Sequence, residues 1–122
     1  MKTTIARAAR LAAATVVLGT ALAPSAASAL DSIGEGRRLY LKYNCYGCHG
    51  MRGGGAMGPR LIGEAEFSDV REKVLFGADE GMPSYGRFMT STDIANLAAY
   101  LGTLGRKNEP VFTHWWEKVP SR

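Results

Sequence analysis

Two cysteines three positions apart, with a histidine directly after the second, share one short stretch, "NCYGCHG", residues 44–50. They are the only cysteines in the chain, so whatever they bond constrains everything folded around them. Zinc asks for four ligands in a tetrahedron. Cys45, Cys48 and His49 give three, packed too tightly for that geometry, and the other histidine, His114, lies in the C-terminal tail. A thioredoxin-like redox pair needs a strand–helix setting, and no run here alternates as a strand does. A disulfide closing so short a loop staples almost nothing. The remaining use is covalent haem attachment, in which the two thiols add to the vinyl groups of a haem and the following histidine ligates its iron. Cys45 and Cys48 are thus the expected thioether positions and His49 the proximal ligand of one haem c.

The N-terminus bears on where that chemistry happens. Lys2, Arg7 and Arg10 precede an uncharged apolar run from Leu11 to Ala23, and "ASA" at 27–29 has the small-x-small pattern of a cleavage site. This reads as a secretory signal peptide over 1–29, with an apolar run too short for a comfortable membrane span. The expectation is export to the periplasm, cleavage after Ala29 and no stable membrane insertion. In that oxidising compartment the thiols can pair before haem arrives, so maturation needs a reductant and an attachment machinery. The chain's net charge of +4 owes much to the signal: beyond residue 29 twelve basic and eleven acidic side chains remain, a net charge of +1. That balance offers no electrostatic case for nucleic acid or a membrane surface.

The rest is one small domain, expected over 30–107, followed by an aromatic C-terminal extension over 108–122. Three helical patterns are separated by Gly-rich loops. In the first, about 32–43, Ile33, Gly36, Tyr40 and Tyr43 share a face and Ser32 with Glu35 makes a capping-box pair. The second, about 69–76, has Ser68 as its cap, Val70 and Val74 on one side and Gly77 as its stop. The third, about 91–104, has a Thr90/Asp93 capping box and an apolar stripe of Ile94, Leu97, Ala98 and Leu101. The class is all-α. The loops "GMRGGGAMGPRLIGE" and "GADEGMPSYG" are long for so small a domain, and such loops hold ligands or function. A haem supplies the core that three short helices lack.

Several of these features together resemble the class I c-type cytochromes over nearly all of residues 31–104. Gly36 and Tyr40 match the glycine and aromatic of that family's N-terminal helix, and Leu97 and Tyr100 the residues crossing them from the C-terminal helix. "GPRL" at 58–61 matches the loop after the haem motif, and "GMPSYG" at 81–86 the distal methionine loop. The resemblance implies the small cytochrome fold, with three short helices and long loops around one haem. It also implies that the second ring nitrogen of His49 bonds the Pro59 carbonyl, fixing the ring as ligating imidazoles require.

For the distal ligand the resemblance and the spacing favour Met82. Met51 is two residues past His49, a reach of at most about 7 Å, too short to round the macrocycle. Met57 is held on the histidine side if Pro59 binds there, and Met89 precedes the last helix as a packing methionine. Pro83 keeps Met82 out of the helical region, and the neighbouring glycines let its loop approach the haem closely. Arg60 is a candidate haem propionate partner, and equally a solvated surface arginine.

His/Met ligation fills both axial positions and raises the potential, which implies a one-electron carrier working through an exposed haem edge and not an enzyme. Two alternatives stand beside it: a gas sensor or enzyme with a labile sixth ligand, and a tightly bound subunit of a larger oxidoreductase. The whole pattern, tail included, is also similar to periplasmic cytochromes serving quinoprotein alcohol dehydrogenases. That likeness implies periplasmic redox proteins as partners, with such a dehydrogenase as donor and an oxidase or another cytochrome as acceptor, and a monomeric protein. In the tail, Phe112, Trp115 and Trp116 either pack back on the domain or form a docking strip, and His114 is a surface residue.

Overall fold

In the computed structural model, residues 30–117 are described; the expected signal peptide, its cleavage site and the last five residues of the tail lie outside them. Four helices follow in order: α1 (Ser32–Lys42), α2 (Tyr46–His49), α3 (Phe67–Phe76) and α4 (Ser91–Leu101). Among the described residues the only strand-like pairing is an isolated bridge between Ala78 and Met82. The all-α class expected from the sequence therefore holds, with one more helix than the three patterns indicated. No helix among the described residues is long and apolar enough to cross a membrane.

The ends of α1 and α3 differ from the expected ones. The N-cap of α1 is Asp31, extended at φ −66° and ψ 172°, whose carboxylate accepts the Gly34 N–H at 2.7 Å. Ser32 is already helical, and Glu35 pairs with Arg38 at 2.8 Å instead of closing a box. An ionised cap also suits the positive end of the helix dipole. Helix α3 starts two residues before the expected position, with Glu66 at the N-cap making no side-chain cap bond, so Ser68 is not its cap. Gly77 ends it at φ +78°, as expected, its N–H bonding the Lys73 carbonyl. In α4 both halves of the Thr90/Asp93 capping box form. That helix stops at Leu101 and not at 104, tightening into i→i+3 turns that keep Leu104 buried.

The core is the crossing of α1 on α4, with α3 against α4. Tyr40 and Tyr100 meet across it with ring centroids 5.4 Å apart and planes at 60°, a tilted aromatic pair. Ile94, Leu97 and Leu101 are buried from α4, Val70 and Val74 from α3. Gly36 makes the crossing possible: a methyl there would run into the Asn96 carbonyl and come within 2.6 Å of Tyr100 Cβ. Because the obstacle is mostly backbone, it cannot rotate aside. Gly36→Leu should therefore cost at least the ~1–3 kcal/mol of ordinary overpacking. Thermal unfolding would show it as a drop of roughly 4–8 °C for each of those kcal/mol in a domain of this size. An unchanged midpoint would mean that the two helices do not touch there.

Candidate haem site

The C-x-x-C-H stretch is built by a sharp change of direction. Asn44 takes a left-handed conformation, φ +58°, which asparagine tolerates better than most residues. It ends α1 and starts the single turn of α2, with Cys45 at the N-cap and Cys48 and His49 inside. The three groups therefore project from one helical turn. Both cysteines are free thiols, Cys48 exposed and Cys45 partly buried. Burial pushes the Cys45 thiol up to about 11, so it stays protonated near neutral pH. That protonation disfavours the thiolate a metal site would want.

The loop after α2 folds back beneath the histidine. Gly55 N–H bonds the His49 carbonyl at 2.8 Å, Gly58 N–H the Cys48 carbonyl at 2.8 Å, and Leu61 N–H the Gly53 carbonyl at 2.8 Å. Gly50, Gly53 and Gly55 all have positive φ, which this tight path requires. Gly58 lies so close that a methyl on it would sit 3.1 Å from His49 Cε1 and 3.2 Å from Nδ1. The result is the contact implied by the resemblance: His49 Nδ1 lies 2.8 Å from the Pro59 carbonyl oxygen. A carbonyl only accepts, so Nδ1 carries the proton and donates it. In the neutral ring Nε2 is then the nitrogen with the lone pair, the one through which an imidazole binds a metal.

A second loop, residues 77–86, is laced to the end of α3. Ala78 N–H bonds the Met82 carbonyl at 3.0 Å, Tyr85 N–H the Val74 carbonyl at 2.8 Å, and the Ser84 hydroxyl donates to the Leu75 carbonyl at 2.6 Å. Gly77 has no room for a side chain, with the Met82 carbonyl oxygen 2.5 Å from where a Cβ would sit. Met82 is partly buried against the core, alongside Leu61, Ile62, Ala65, Leu75 and Tyr85. Met89 is buried in the core, as expected of a packing methionine, whereas Met57 is 87% exposed and Met51 is exposed as well. Arg60 is exposed.

These features fit a covalently attached haem. Two thiols and an imidazole share one turn, a glycine-lined cradle supports the ring, and partly buried apolar side chains from both loops, Met82 among them, pack on the edge of the core.

The sequence reading missed Arg37. It falls in the middle of α1 yet is 1% exposed. Nε donates to the Phe112 carbonyl at 3.1 Å, and Nη1 donates to the Tyr100 hydroxyl at 2.6 Å and to the Met51 carbonyl. From the next turn, Tyr40 donates to the Gly50 carbonyl at 2.6 Å. The two carbonyls that follow His49 are thus both held from α1. The signal was available: Arg37 is four residues after Ile33 and three before Tyr40, inside the stripe assigned to packing.

The tail divides between its two readings. Phe112 is buried. Glu109 accepts two bonds from Arg52, at 2.9 and 2.7 Å, and Arg38 donates to the Glu117 carbonyl at 2.9 Å. Trp115 and Trp116 stay exposed, edge to face with centroids 5.8 Å apart, beside an open cleft that also includes Lys42, Tyr43 and Phe88. His114 is exposed, as expected, and pairs with Glu117 at 2.8 Å.

Residues 31–101 match the family described as cytochrome c oxidase, cbb3-type, subunit III, and the chain belongs to that family, as a class I c-type cytochrome with haem c as its cofactor. Among solved structures it is similar to cytochrome CL from the marine methylotrophic bacterium Methylophaga aminisulfidivorans MPT, with a TM-score of 0.53 and 24% identity. That match covers 63% of this chain and 55% of the other, so this chain spans about half the length of that relative, and the likeness shows the fold. No curated protein matches the chain. Family and fold together support a haem c electron carrier.

Proposed function

We propose that the protein is an exported one-electron carrier whose haem c is bound through Cys45 and Cys48 and ligated by His49 and Met82. The observation that carries this reading is the His49–Pro59 bond of 2.8 Å, which engages Nδ1 and supports Nε2 as the ligating nitrogen. The haem supplies the reversible ferric/ferrous couple. The chain's own residues hold and orient it: two thiols fix its edge, Pro59 and Gly58 fix the imidazole plane, and the 77–86 loop brings up a thioether that favours the reduced state. With His49 and Met82 as its two protein ligands, the bound haem would keep no open site for a substrate, and the protein would pass electrons without catalysing a reaction of its own.

In this proposal residues 1–29 are removed on export to the periplasm, 30–107 form the cytochrome domain and 108–122 an aromatic extension. The donor is a periplasmic dehydrogenase, of the quinoprotein alcohol dehydrogenase class that the sequence resemblance implies, and the acceptor an oxidase or another cytochrome. Encounters of this kind use small, transient interfaces, consistent with a monomer. A second reading, a bound subunit of a larger complex, is favoured by one observation: the family takes its description from an oxidase subunit.

Optical spectra of the purified holoprotein, oxidised and reduced, with and without carbon monoxide, test the ligation. A low-spin spectrum unmoved by carbon monoxide near neutral pH is expected. Ready carbon monoxide binding by the wild type would replace the carrier with the sensor or enzyme reading. Light scattering on the same sample separates a free monomer from a subunit that leaves its host only with large partners attached.

A further inference from the structure

We propose that Arg37 is a positioning residue for the haem, a buried cation that holds the backbone after the proximal histidine and biases the iron toward its reduced state. The inference rests on the reading of His49 as that ligand.

An arginine keeps its charge wherever it is placed and is rarely so fully buried without a paired acid. All three oxygens bonded to Arg37 are neutral: two backbone carbonyls and the Tyr100 hydroxyl. The guanidinium also lies 6.0 Å from the Tyr40 ring centroid and 5.5 Å from that of Tyr100, where ring faces offer partial compensation. Glu109 is the acid that feels Arg37, but both its oxygens are committed elsewhere. Arg52 takes them as a pair, and the Gly105 N–H adds a third bond at 2.9 Å. Burial pushes the Glu109 carboxyl up; those bonds and the charges of Arg52 and Arg37 outweigh it and hold the group below the usual carboxylate range. The cluster is therefore two guanidiniums on one carboxylate, an excess of one positive charge, with Arg37 its buried member and Arg52 at the rim.

A buried charge without its own counterion costs stability. A neutral residue could fill the crossing at lower cost, so the charge calls for another reason. Met51, whose carbonyl Arg37 holds, is two residues from His49. Taking up one electron from a donor protein lowers the net charge of the haem iron by one. A fixed cation in a medium of low dielectric favours that change over the oxidised state. Arg37 thereby acts on the couple through position and charge, without touching the iron.

The test compares reduction potentials of the wild-type holoprotein with Arg37→Gln, Arg37→Lys and Glu109→Gln by spectroelectrochemical titration. The near-infrared band of methionine-ligated ferric haem is recorded for each. Arg37→Gln should move the equilibrium toward the oxidised form by roughly tenfold, about 59 mV for one electron. Arg37→Lys, which keeps the charge and loses the fork of hydrogen bonds, should move it by a small part of that. Glu109→Gln removes the compensating carboxylate and should move it the other way. Equal shifts for Gln and Lys, or no shift for Gln, would overturn the proposal. If Arg37→Gln yields no holoprotein, Glu109→Gln decides alone: a raised potential supports the proposal, and an unchanged or lowered one sinks it. A wild type without the near-infrared band would remove Met82 as ligand while leaving the potential series to judge Arg37.

Discussion

Met82→Ala should convert the protein from one indifferent to carbon monoxide into one that binds it readily once reduced. The same change should remove the near-infrared charge-transfer band and lower the potential by an amount on the order of 100 mV, within the ~0.8 V that axial ligands span. The physical reason is the loss of one thioether. Sulfur of this kind favours ferrous iron, and with Met82 proposed as the second ligand the shortened side chain would leave the haem without it. The fold should survive, because the loop holding Met82 is fastened by its backbone: Ala78 N–H to Met82 O, Tyr85 N–H to Val74 O, and the Ser84 hydroxyl to Leu75 O. Met89→Ala is the control. That side chain is buried in the core, so its truncation should cost about 2–5 kcal/mol of stability and leave band, carbon monoxide response and potential alone. If Met89→Ala abolishes the band and Met82→Ala does not, the two roles are exchanged.

Replacing both Cys45 and Cys48 with alanine should abolish haem retention. Wild-type chain run on a denaturing gel should still carry haem, because thioether bonds survive detergent, while the double variant should show none. Each single variant keeps one attachment point and should give sharply less holoprotein. The effect is large because thioether attachment needs a thiol and Cys45 and Cys48 are the chain's only two cysteines. Extraction of haem from the wild type by acidified organic solvent would show that the bond to the chain is not covalent.

Much of this arrangement was readable from residue order, for reasons that differ by element. The capping box at Thr90/Asp93 and the stop at Gly77 are local: their partners lie within four residues and no tertiary contact overrules them. The crossing at Gly36 was readable because a glycine inside an apolar stripe has little other purpose in a helix. The start of α1 at Ser32 agrees with the sequence, but its cap does not: Asp31 and Ser32 are both good caps, and only the backbone angles tell them apart. Helix α2 escaped notice because a single turn has no periodicity to read; it exists because Asn44 adopts a left-handed conformation. Arg37 was passed over because charge is ordinarily evidence of a solvated face, and its oxygen partners lie 14, 63 and 75 residues away. Glu109 was hidden for the same reason, its partner Arg52 being 57 residues off. Apart from the Gly105–Glu109 bond, four residues apart, these contacts between tail and domain are ones that sequence separation conceals.

The α1–α4 crossing also has a consequence in time. A chain made from its N-terminus exposes Cys45, Cys48 and His49 well before Ser91–Leu101 exists, and α1 has no partner until it does. The closing contacts are later still, Arg37 to Phe112 and Arg38 to Glu117. Native pairings this distant along the chain are slow to form, since the loop between them must close first. The chain therefore passes through an interval in which the C-x-x-C-H segment is complete and not yet covered by those contacts. Closing α1 onto residues 91–117 last would put haem attachment first and burial second.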